Sequence, residues 1–301
     1  MSIMYLAKVN LTKGIFDVYD QKIKIDSVIS EVYEELTDSV IYNTSANYNY
    51  RDSMGNRKKI LQKSQYGITE LEKHENYIIT GKVLRTYDKP AEEVVNGKVK
   101  EILVKENVSI YFYFDVKNEL IAFSERQAFG YNQFMRAFEY ILNKRMKGYK
   151  FEIFLQKDNE VLQQKLKELV VISAFKATLI PPNSNEDDLQ TLRENLQYIA
   201  DCKETNANKV KIEMQSSDIN TSLKRESRYM QDIMKAVSKG YGDITTYGIA
   251  QNGKKRIVSS NTDAALTRVI DENMGKQSYN DEAKDFIACF LRGVINKAFL
   301  D

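Results

Sequence analysis

The sequence has few of the residues that build metal centres and nucleophilic active sites. Its 301 residues include one histidine, His74, and two cysteines, Cys202 and Cys289, which form no C-x-x-C pair. Structural zinc needs four Cys or His ligands and catalytic zinc three protein ligands, mostly His, so the sequence predicts no metal site and no cofactor. Two widely separated cysteines are typical of free thiols in a reducing compartment, which predicts a cytoplasmic protein.

Long apolar runs and an excess of charge of one sign are also absent. The apolar runs are a few residues long, whereas a membrane-spanning helix needs roughly 20 residues. The first apolar stretch is interrupted by Lys8 and has no basic leader, which indicates a first strand and not a secretion signal. The 44 Lys and Arg residues face 42 Asp and Glu residues, so any basic surface must be local. We expect a soluble protein without a membrane segment.

What is present in the first half is a series of strands and helices. A hydrophobic fraction of 43% can fill a large core. Helical spacing predicts a helix over 23–42, whereas the polar stretch 43–63 has no clear periodicity and is interpreted as a loop or hairpin. Alternation predicts strands at 77–87, 108–114 and 120–123, a hairpin turn at Asn96-Gly97, and a helix over 132–147 that Gly148 ends. We place the strand 108–114 at the centre of the first sheet.

The second half has a different order. A strand at 151–155 and a helix at 161–169 precede a strand at 170–180 that ends at Pro181-Pro182. Asn183 or Asn185 then caps a helix with one apolar face, formed by Leu189, Leu192, Leu196 and Ile199. With a strand at 209–214, a helix at 228–239 and a hairpin over 243–259, the order β-α-β-α-β-β indicates a layered sheet with helices on one face, ferredoxin-like in kind.

These patterns predict an α+β fold of mostly antiparallel sheets in two lobes. The first lobe is expected over 1–150, and the second over 151–301 contains the β-α-β-α-β-β unit and a C-terminal amphipathic helix over 281–300. The apolar stripe of that helix either packs on its own domain or meets a protein partner or a second copy of the chain. The residues expected at such an interface are Phe286, Phe290, Leu291 and Val294.

Two glycine-containing stretches resemble phosphate-binding loops only in part. Gly248 to Lys254 fits the phosphate-binding loop, but Lys255 stands where Ser or Thr should hold magnesium, and a strand follows where a helix is needed. We interpret this stretch as a hairpin. In Lys239-Gly240-Tyr241-Gly242 the third glycine of a dinucleotide loop is missing, so the glycines indicate a helix end and a turn. His74 has no nucleophile context, and we expect it to be exposed to solvent.

Asp115-Val116-Lys117 is the weak candidate for catalysis. An acid and a lysine in this spacing are similar to an element of magnesium-dependent nucleases, in which carboxylates hold the metal and lysine contacts the phosphate. The same composition is typical of any polar hairpin turn. We therefore keep a nuclease using Asp115 and Lys117 as an alternative and favour a protein that is not an enzyme.

Local combinations of basic and aromatic residues are the strongest surface feature. Phosphate contacts combined with ring stacking hold single-stranded RNA or DNA, whereas a solvated charged surface is the simpler interpretation. Two groups are candidates for nucleic-acid binding, and the second converges if its hairpin lies beside the preceding helix. The first group is Tyr48, Tyr50, Arg51, Arg57, Lys58, Lys59 and Lys63, and the second is Lys224, Arg225, Arg228, Lys254, Lys255 and Arg256.

Several stretches carry a family resemblance in their arrangement. They are 67–72 (Gly-Ile-Thr-Glu-Leu-Glu), 77–83, 109–115 with its partner 120–123, and 176–183 (Lys-Ala-Thr-Leu-Ile-Pro-Pro-Asn). In these the chain resembles a family of uncharacterised bacterial proteins found in mobile-element and phage-defence loci. The resemblance transfers no functional residue. It implies a bacterial cytoplasmic protein of antiviral defence that senses or binds nucleic acid or a phage protein.

The sequence therefore favours a binding or sensing protein whose ligand is nucleic acid or a protein partner. A magnesium-dependent nuclease and a scaffold subunit of a larger assembly are the alternatives. The scaffold alternative predicts that truncation at Gly275 changes the oligomeric state.

Overall fold

Eight antiparallel strands form the first sheet. The structure is a computed structural model that describes residues 1–96, 98–183, 197–218 and 221–293. The strand order β12-β1-β6-β5-β4-β3-β2 places β5 at the centre, as its alternating sequence predicts, and β7 also pairs with β1. The strands are β1 (Ser2–Lys13), β2 (Ile41–Arg51), β3 (Arg57–His74), β4 (Ile78–Val95), β5 (Lys98–Asp115), β6 (Leu120–Ser124), β7 (Lys150–Leu155) and β12 (Thr267–Ile270).

Strands β7 and β12 share one edge of β1. Residues 4 and 5 of β1 pair with both β12 and β6, and residues 7 and 8 pair with both β6 and β7. Because a strand has only two hydrogen-bonding edges, β7 and β12 must lie end to end on the edge opposite β6.

Helices cover both faces of the first sheet. On one face lie α1 (Ile15–Tyr19), α2 (Ile25–Glu35) and α3 (Tyr131–Arg145), and Phe134 of α3 stacks on Phe123 with ring centroids 4.0 Å apart. On the other face lies the C-terminal helix α8 (Lys276–Leu291), whose Tyr279 and Phe286 pack with Met4. Successive side chains of the central strands point to opposite faces of the sheet, so these strands contribute residues to the cores on both faces.

A second antiparallel sheet follows in the chain, with the order β11-β10-β8-β9. Leu162, Phe175 and Ile233 lie in its core, between the sheet and the helices. The elements are α4 (Asn159–Lys167), β8 (Leu169–Leu179), α5 (Gln197–Thr205), β9 (Val210–Gln215), α6 (Arg228–Ser238), β10 (Gly242–Ala250), β11 (Lys255–Ser259) and α7 (Ser260–Asp263). The α+β class, the antiparallel pairing and the C-terminal helix are thus confirmed.

Some predicted elements differ or fall outside the described ranges. The helix predicted over 23–42 ends at Glu35, and Ile41 already begins β2. Leu189, Leu192 and Leu196 of the predicted helix, with its alternative cap Asn185, lie outside the described residues, as does Gly97 of the hairpin turn, whereas Ile199 lies in α5. Val95 pairs with Lys98, which confirms the predicted reversal between them.

The two sheets meet through buried polar side chains. The Asn183 side chain accepts a hydrogen bond from the Leu11 amide (2.9 Å) and donates one to the Val9 carbonyl (3.1 Å). Asn10 donates to the Gly240 carbonyl at 3.0 Å. Residues after 150 contribute to both sheets, so the arrangement of strands departs from the predicted division into lobes at residue 150. Across the described ranges, no helix combines the length and apolar character that a membrane span requires.

Candidate nucleic-acid interface

The segment predicted as a loop or hairpin is a regular hairpin at the end of the first sheet. Strands β2 and β3 pair continuously from Ile41 opposite Gly67 to Arg51 opposite Arg57. The Asp52 side chain closes the turn by accepting hydrogen bonds from the amides of Met54 (3.0 Å) and Asn56 (2.8 Å). Desolvation opposes ionisation of Asp52, but the hydrogen bonds from Asn56 and Lys58 outweigh it and lower the pKa of this carboxyl.

Strand alternation gathers most of the hairpin's cations on one side. Because Arg51 lies opposite Arg57, the odd-numbered residues of both strands share a face, and we call its part within 43–51 and 57–65 the basic face. All ten of its residues are exposed, four of them are cations and none is Asp or Glu. The basic face comprises Asn43, Ser45, Asn47, Asn49, Arg51, Arg57, Lys59, Leu61, Lys63 and Gln65.

One carboxylate borders the basic face where the hairpin joins the rest of the sheet. Asp88 of β4 forms an ion pair with Lys105 at 2.7 Å. The hydrogen bond from Lys105 lowers the pKa of Asp88 against the opposing effect of desolvation, and a backbone hydrogen bond from Lys63 lowers it further. This ion pair neutralises part of the charge at the Lys63 end. At the other end, the carboxylate of Asp52 lies in the turn, and that of Glu92 accepts a hydrogen bond from the Ser53 amide at 3.2 Å.

The candidate tyrosines lie on the opposite face of the hairpin. The Tyr48 and Tyr50 rings are stacked, with centroids 6.4 Å apart and planes 8° apart. The Tyr50 hydroxyl donates to Glu101 at 3.4 Å, and Lys58 forms ion pairs with Glu101 and with Asp52. Tyr50 and Lys58 therefore connect this hairpin to the β4–β5 hairpin. The structure does not combine the tyrosines and the four cations on one surface.

Two members of the second basic group, Arg225 and Arg256, meet at one turn, where backbone carbonyls and Glu168 engage them. Arg225 donates to the carbonyls of Leu166 (3.1 Å) and Leu169 (3.3 Å), which stabilises the C-terminal end of α4, and Arg256 pairs with Glu168 in the same turn. Arg228 is 3.8 Å from Asp232, Lys224 precedes α6, and Lys254 and Lys255 are exposed at the β10–β11 turn.

The two glycine-containing stretches are structural. Strand β11 follows the Gly248–Lys254 stretch, and the amide of Gly253 donates to the Ala250 carbonyl at 2.9 Å, so this stretch is a hairpin as predicted. Helix α6 ends at Ser238, and Gly240 has a φ of 80°, a left-handed conformation that glycine adopts at helix ends. This confirms the predicted helix end.

Asp115 is held in a turn. Its carboxylate accepts hydrogen bonds from the amide (3.0 Å) and the side chain (2.8 Å) of Asn118, and Lys117 is exposed. His74 Nε2 lies 2.8 Å from the Thr80 hydroxyl and 3.9 Å from Glu72. Within the part of the chain that the structure describes, no three His, Cys, Asp or Glu side chains converge in a way that could hold a metal ion.

The apolar stripe of the C-terminal helix packs against the first sheet of its own chain. Phe286 is 5% exposed and packs in the core of the first sheet, which also contacts Phe290. The interpretation of the stripe as a partner interface is therefore wrong for Phe286, because this side chain is already buried. Leu291 is 52% exposed, and Val294 lies outside the described residues.

Lys157 lies near the junction of the two sheets, and no sequence pattern predicted a role for it. It is 3% exposed, and its ammonium group donates to the Leu155 carbonyl (2.8 Å) and to Asn261 (2.7 Å). Desolvation lowers its pKa to about 7, against the opposing effect of Asp243. A lysine in the polar stretch Gln156-Lys157-Asp158 is ordinarily exposed, so no local signal marks it.

Comparison with known proteins gives the chain a family but no activity. No curated protein matches it. One family model covers residues 19–287, which include the basic hairpin, the second sheet, all strands of the first sheet except β1, and most of α8. The chain therefore belongs to the family described as Domain of unknown function (DUF4747).

Proposed function

We propose that the protein binds nucleic acid through the basic face of the β2–β3 hairpin. The observation that supports this is the placement of Arg51, Arg57, Lys59 and Lys63 on one exposed surface whose ten residues include no acid. The net charge of the whole chain is only +2, so this concentration of positive charge is local. A phosphate backbone is the ligand that such a surface attracts most strongly.

The spacing of the cations suits a linear polyanion. Alternate residues of a strand are about 6.8 Å apart, and neighbouring strands are about 4.8 Å apart. Arg57, Lys59 and Lys63 therefore form a row along β3, with Arg51 beside its end. Asn43, Asn47 and Asn49 add amide donors of the kind that contact phosphate and sugar oxygens.

The separation of the tyrosines determines the mode of binding that we propose. Because Tyr48 and Tyr50 lie on the other face, the four cations meet phosphates without ring stacking from these residues. Contacts to phosphate alone carry little sequence information. We expect binding that depends weakly on sequence and strongly on salt, with similar affinity for single and double strands.

A charge-matched pair of variants tests this function. The first variant replaces Arg51, Arg57, Lys59 and Lys63 with Gln, and the control replaces four exposed lysines elsewhere, Lys144, Lys147, Lys235 and Lys284, with Gln. Affinity for fluorescent RNA and DNA is measured by anisotropy over a salt series. Each lost phosphate contact should reduce the slope of log affinity against log salt by about 0.7–0.9. Equal losses in both variants, or none in the first, would refute the proposal.

The other predicted functions gain less support. Asp115 already accepts two hydrogen bonds within its turn, so its geometry favours a structural role over metal binding. A role in antiviral defence stays a prediction of the resemblance, since the matching family is described as one of unknown function. A phage protein as partner likewise stays a prediction.

A further inference from the structure

Within the described part of the chain, one edge of strand β2 is unpaired along its full length. It is the last strand of the first sheet, and among the described residues only β3 pairs with it. None of its residues from Ile41 to Arg51 is buried. Such an edge presents a row of backbone N–H and C=O groups that another strand can pair with.

This edge lacks the features by which proteins usually prevent such pairing. Charged side chains, proline, β-bulges and short length all discourage edge-to-edge association. Residues 41–50 contain no charged residue and no proline, and the eleven pairs with β3 run without a register shift. The first charge on the strand is Arg51, at the turn. The edge is therefore open to a further strand.

The sequence of β2 is symmetric about Ala46 at two of four pairs of positions, Tyr42 with Tyr50 and Asn43 with Asn49. It reads Tyr-Asn-Thr-Ser-Ala-Asn-Tyr-Asn-Tyr from position 42 to position 50. If a second β2 pairs antiparallel with a two-fold axis at Ala46, Tyr42 faces the other copy's Tyr50 and Asn43 faces its Asn49. Aromatic pairs and hydrogen-bonding polar pairs directly opposite each other stabilise strand pairing.

The same register avoids repulsion between the copies. Arg51 would face Ile41 of the second copy, so no two cations of β2 meet across the axis. Residues 42, 44, 46, 48 and 50 of both copies share one face, and the odd-numbered residues share the other. Isologous contacts of this kind, in which one patch meets its own copy, are the commonest in homodimers.

We propose that two copies of this chain associate through antiparallel pairing of their β2 strands about Ala46. The two first sheets then form one continuous sheet, and both basic faces lie on the same side of it because the two-fold axis is perpendicular to the sheet. The dimer brings eight cations onto one surface, as two sets of four that lie side by side and are separated by the paired β2 strands. The inference does not depend on what the basic face binds, since it concerns the edge and not the face.

Charge substitution at the axis tests the pairing. In the proposed dimer, the two copies of residue 46 lie about 4.5–5.5 Å apart. The wild type should have a mass by light scattering twice that of the 34.8 kDa chain. Ala46→Lys and Ala46→Glu should each halve this mass, because like charges then face each other. Mixing the two variants should restore the dimer, which also shows that both are folded.

A cross-linking experiment tests the register. Both native cysteines are buried, so a cysteine introduced at exposed Ala46 should form an intermolecular disulfide under mild oxidation. The matched control is Asn49→Cys, on the same strand, whose two copies would lie about 20 Å apart and should not cross-link. A monomeric wild type at its highest soluble concentration, a dimer that survives Ala46→Lys, or equal cross-linking at both positions each overturns the inference.

Discussion

Arg51 and Arg57 lie directly opposite each other in the last pair of the β2–β3 hairpin. Like charges in facing positions destabilise a strand pair, whereas an opposite charge in either position would stabilise it. The Asp52 carboxylate in the adjacent turn is engaged with backbone amides and with Lys58. The hairpin therefore carries a local repulsion that a bound anion would relieve.

This repulsion predicts opposite effects of Arg57→Gln on stability and on binding. Removing one of the two facing charges should raise the free energy of unfolding, by up to about 1 kcal/mol. Affinity for nucleic acid should fall. Urea unfolding at low and high salt measures the first effect, which should shrink at high salt because ions screen exposed charges. A variant that is less stable at low salt contradicts the expected repulsion.

The buried lysine predicts a rise of stability with pH. The pKa of Lys157 is lowered from 10.5 to about 7, so between these values the unfolded chain holds a proton that the folded protein has released. Stability therefore increases as the pH rises through this window. One pKa unit corresponds to about 1.4 kcal/mol, so we expect a gain on the order of 2 kcal/mol between pH 7 and pH 9.

Comparison with Lys157→Met isolates this contribution. The variant should lose the rise, whatever its stability at pH 7, because methionine does not titrate. Lys167→Met, on the exposed side of α4, should keep it. Urea unfolding at pH 7, 8 and 9 provides the measurement. An unchanged rise in Lys157→Met shows that the lysine keeps its proton in the folded protein.

The C-terminal helix offers a matched pair of truncations. Phe286 is buried, and Arg268 lies over its ring at 4.9 Å, whereas Leu291 on the same helix is 52% exposed. Phe286→Ala should cost about 3–5 kcal/mol of stability. Leu291→Ala should change stability by less than about 0.5 kcal/mol. Thermal unfolding compares them. Similar small changes in both would indicate that α8 is not docked on the first sheet.

Asp115 can be tested as a turn residue and as a metal ligand with the same variants. Asp115→Ala removes both acceptors for Asn118 and should cost about 1 kcal/mol, whereas Asp115→Asn keeps one acceptor and should cost less. Urea unfolding measures this difference. The proteins are also incubated with labelled RNA and magnesium. Cleavage by the wild type that disappears in Asp115→Asn would support the nuclease alternative.

Much of the fold could be predicted because local patterns and packing agree. Strand β5 alternates Phe112 and Phe114 with Tyr113, and the structure uses both of its faces. Helix α3 has one apolar stripe, and this stripe packs on one face of the first sheet. The end of α2 was missed because Val40 continues the helical spacing, although it precedes a strand. Periodicity alone cannot show where such a residue leaves the helix.

The candidate interface was harder to predict. Both faces of β2 lie largely open, so its sequence lacks the alternation of apolar and polar residues that marks a half-buried strand. The positions of Arg57 and Tyr48 on opposite faces follow only from the register of β2 with β3. The burial of Lys157 depends on residues more than a hundred positions away, such as Asn261.

Because β7 and β12 share one edge of β1, the segment that forms the second sheet begins and ends at neighbouring positions in the fold. Lys157 forms a bridge with Ala265, and the amide of Leu266 donates to the Gln156 carbonyl at 2.8 Å, so the chain leaves and rejoins the first sheet at one place. The second sheet is thus an insertion between β7 and β12. A short glycine linker could join Lys157 to Ala265, but Tyr19 and Phe154, which pack against the core of the second sheet, would then be exposed together with Asn10 and Thr12. The two sheets therefore depend on each other for the burial of these side chains and for the hydrogen bonds of Asn10 and Asn183.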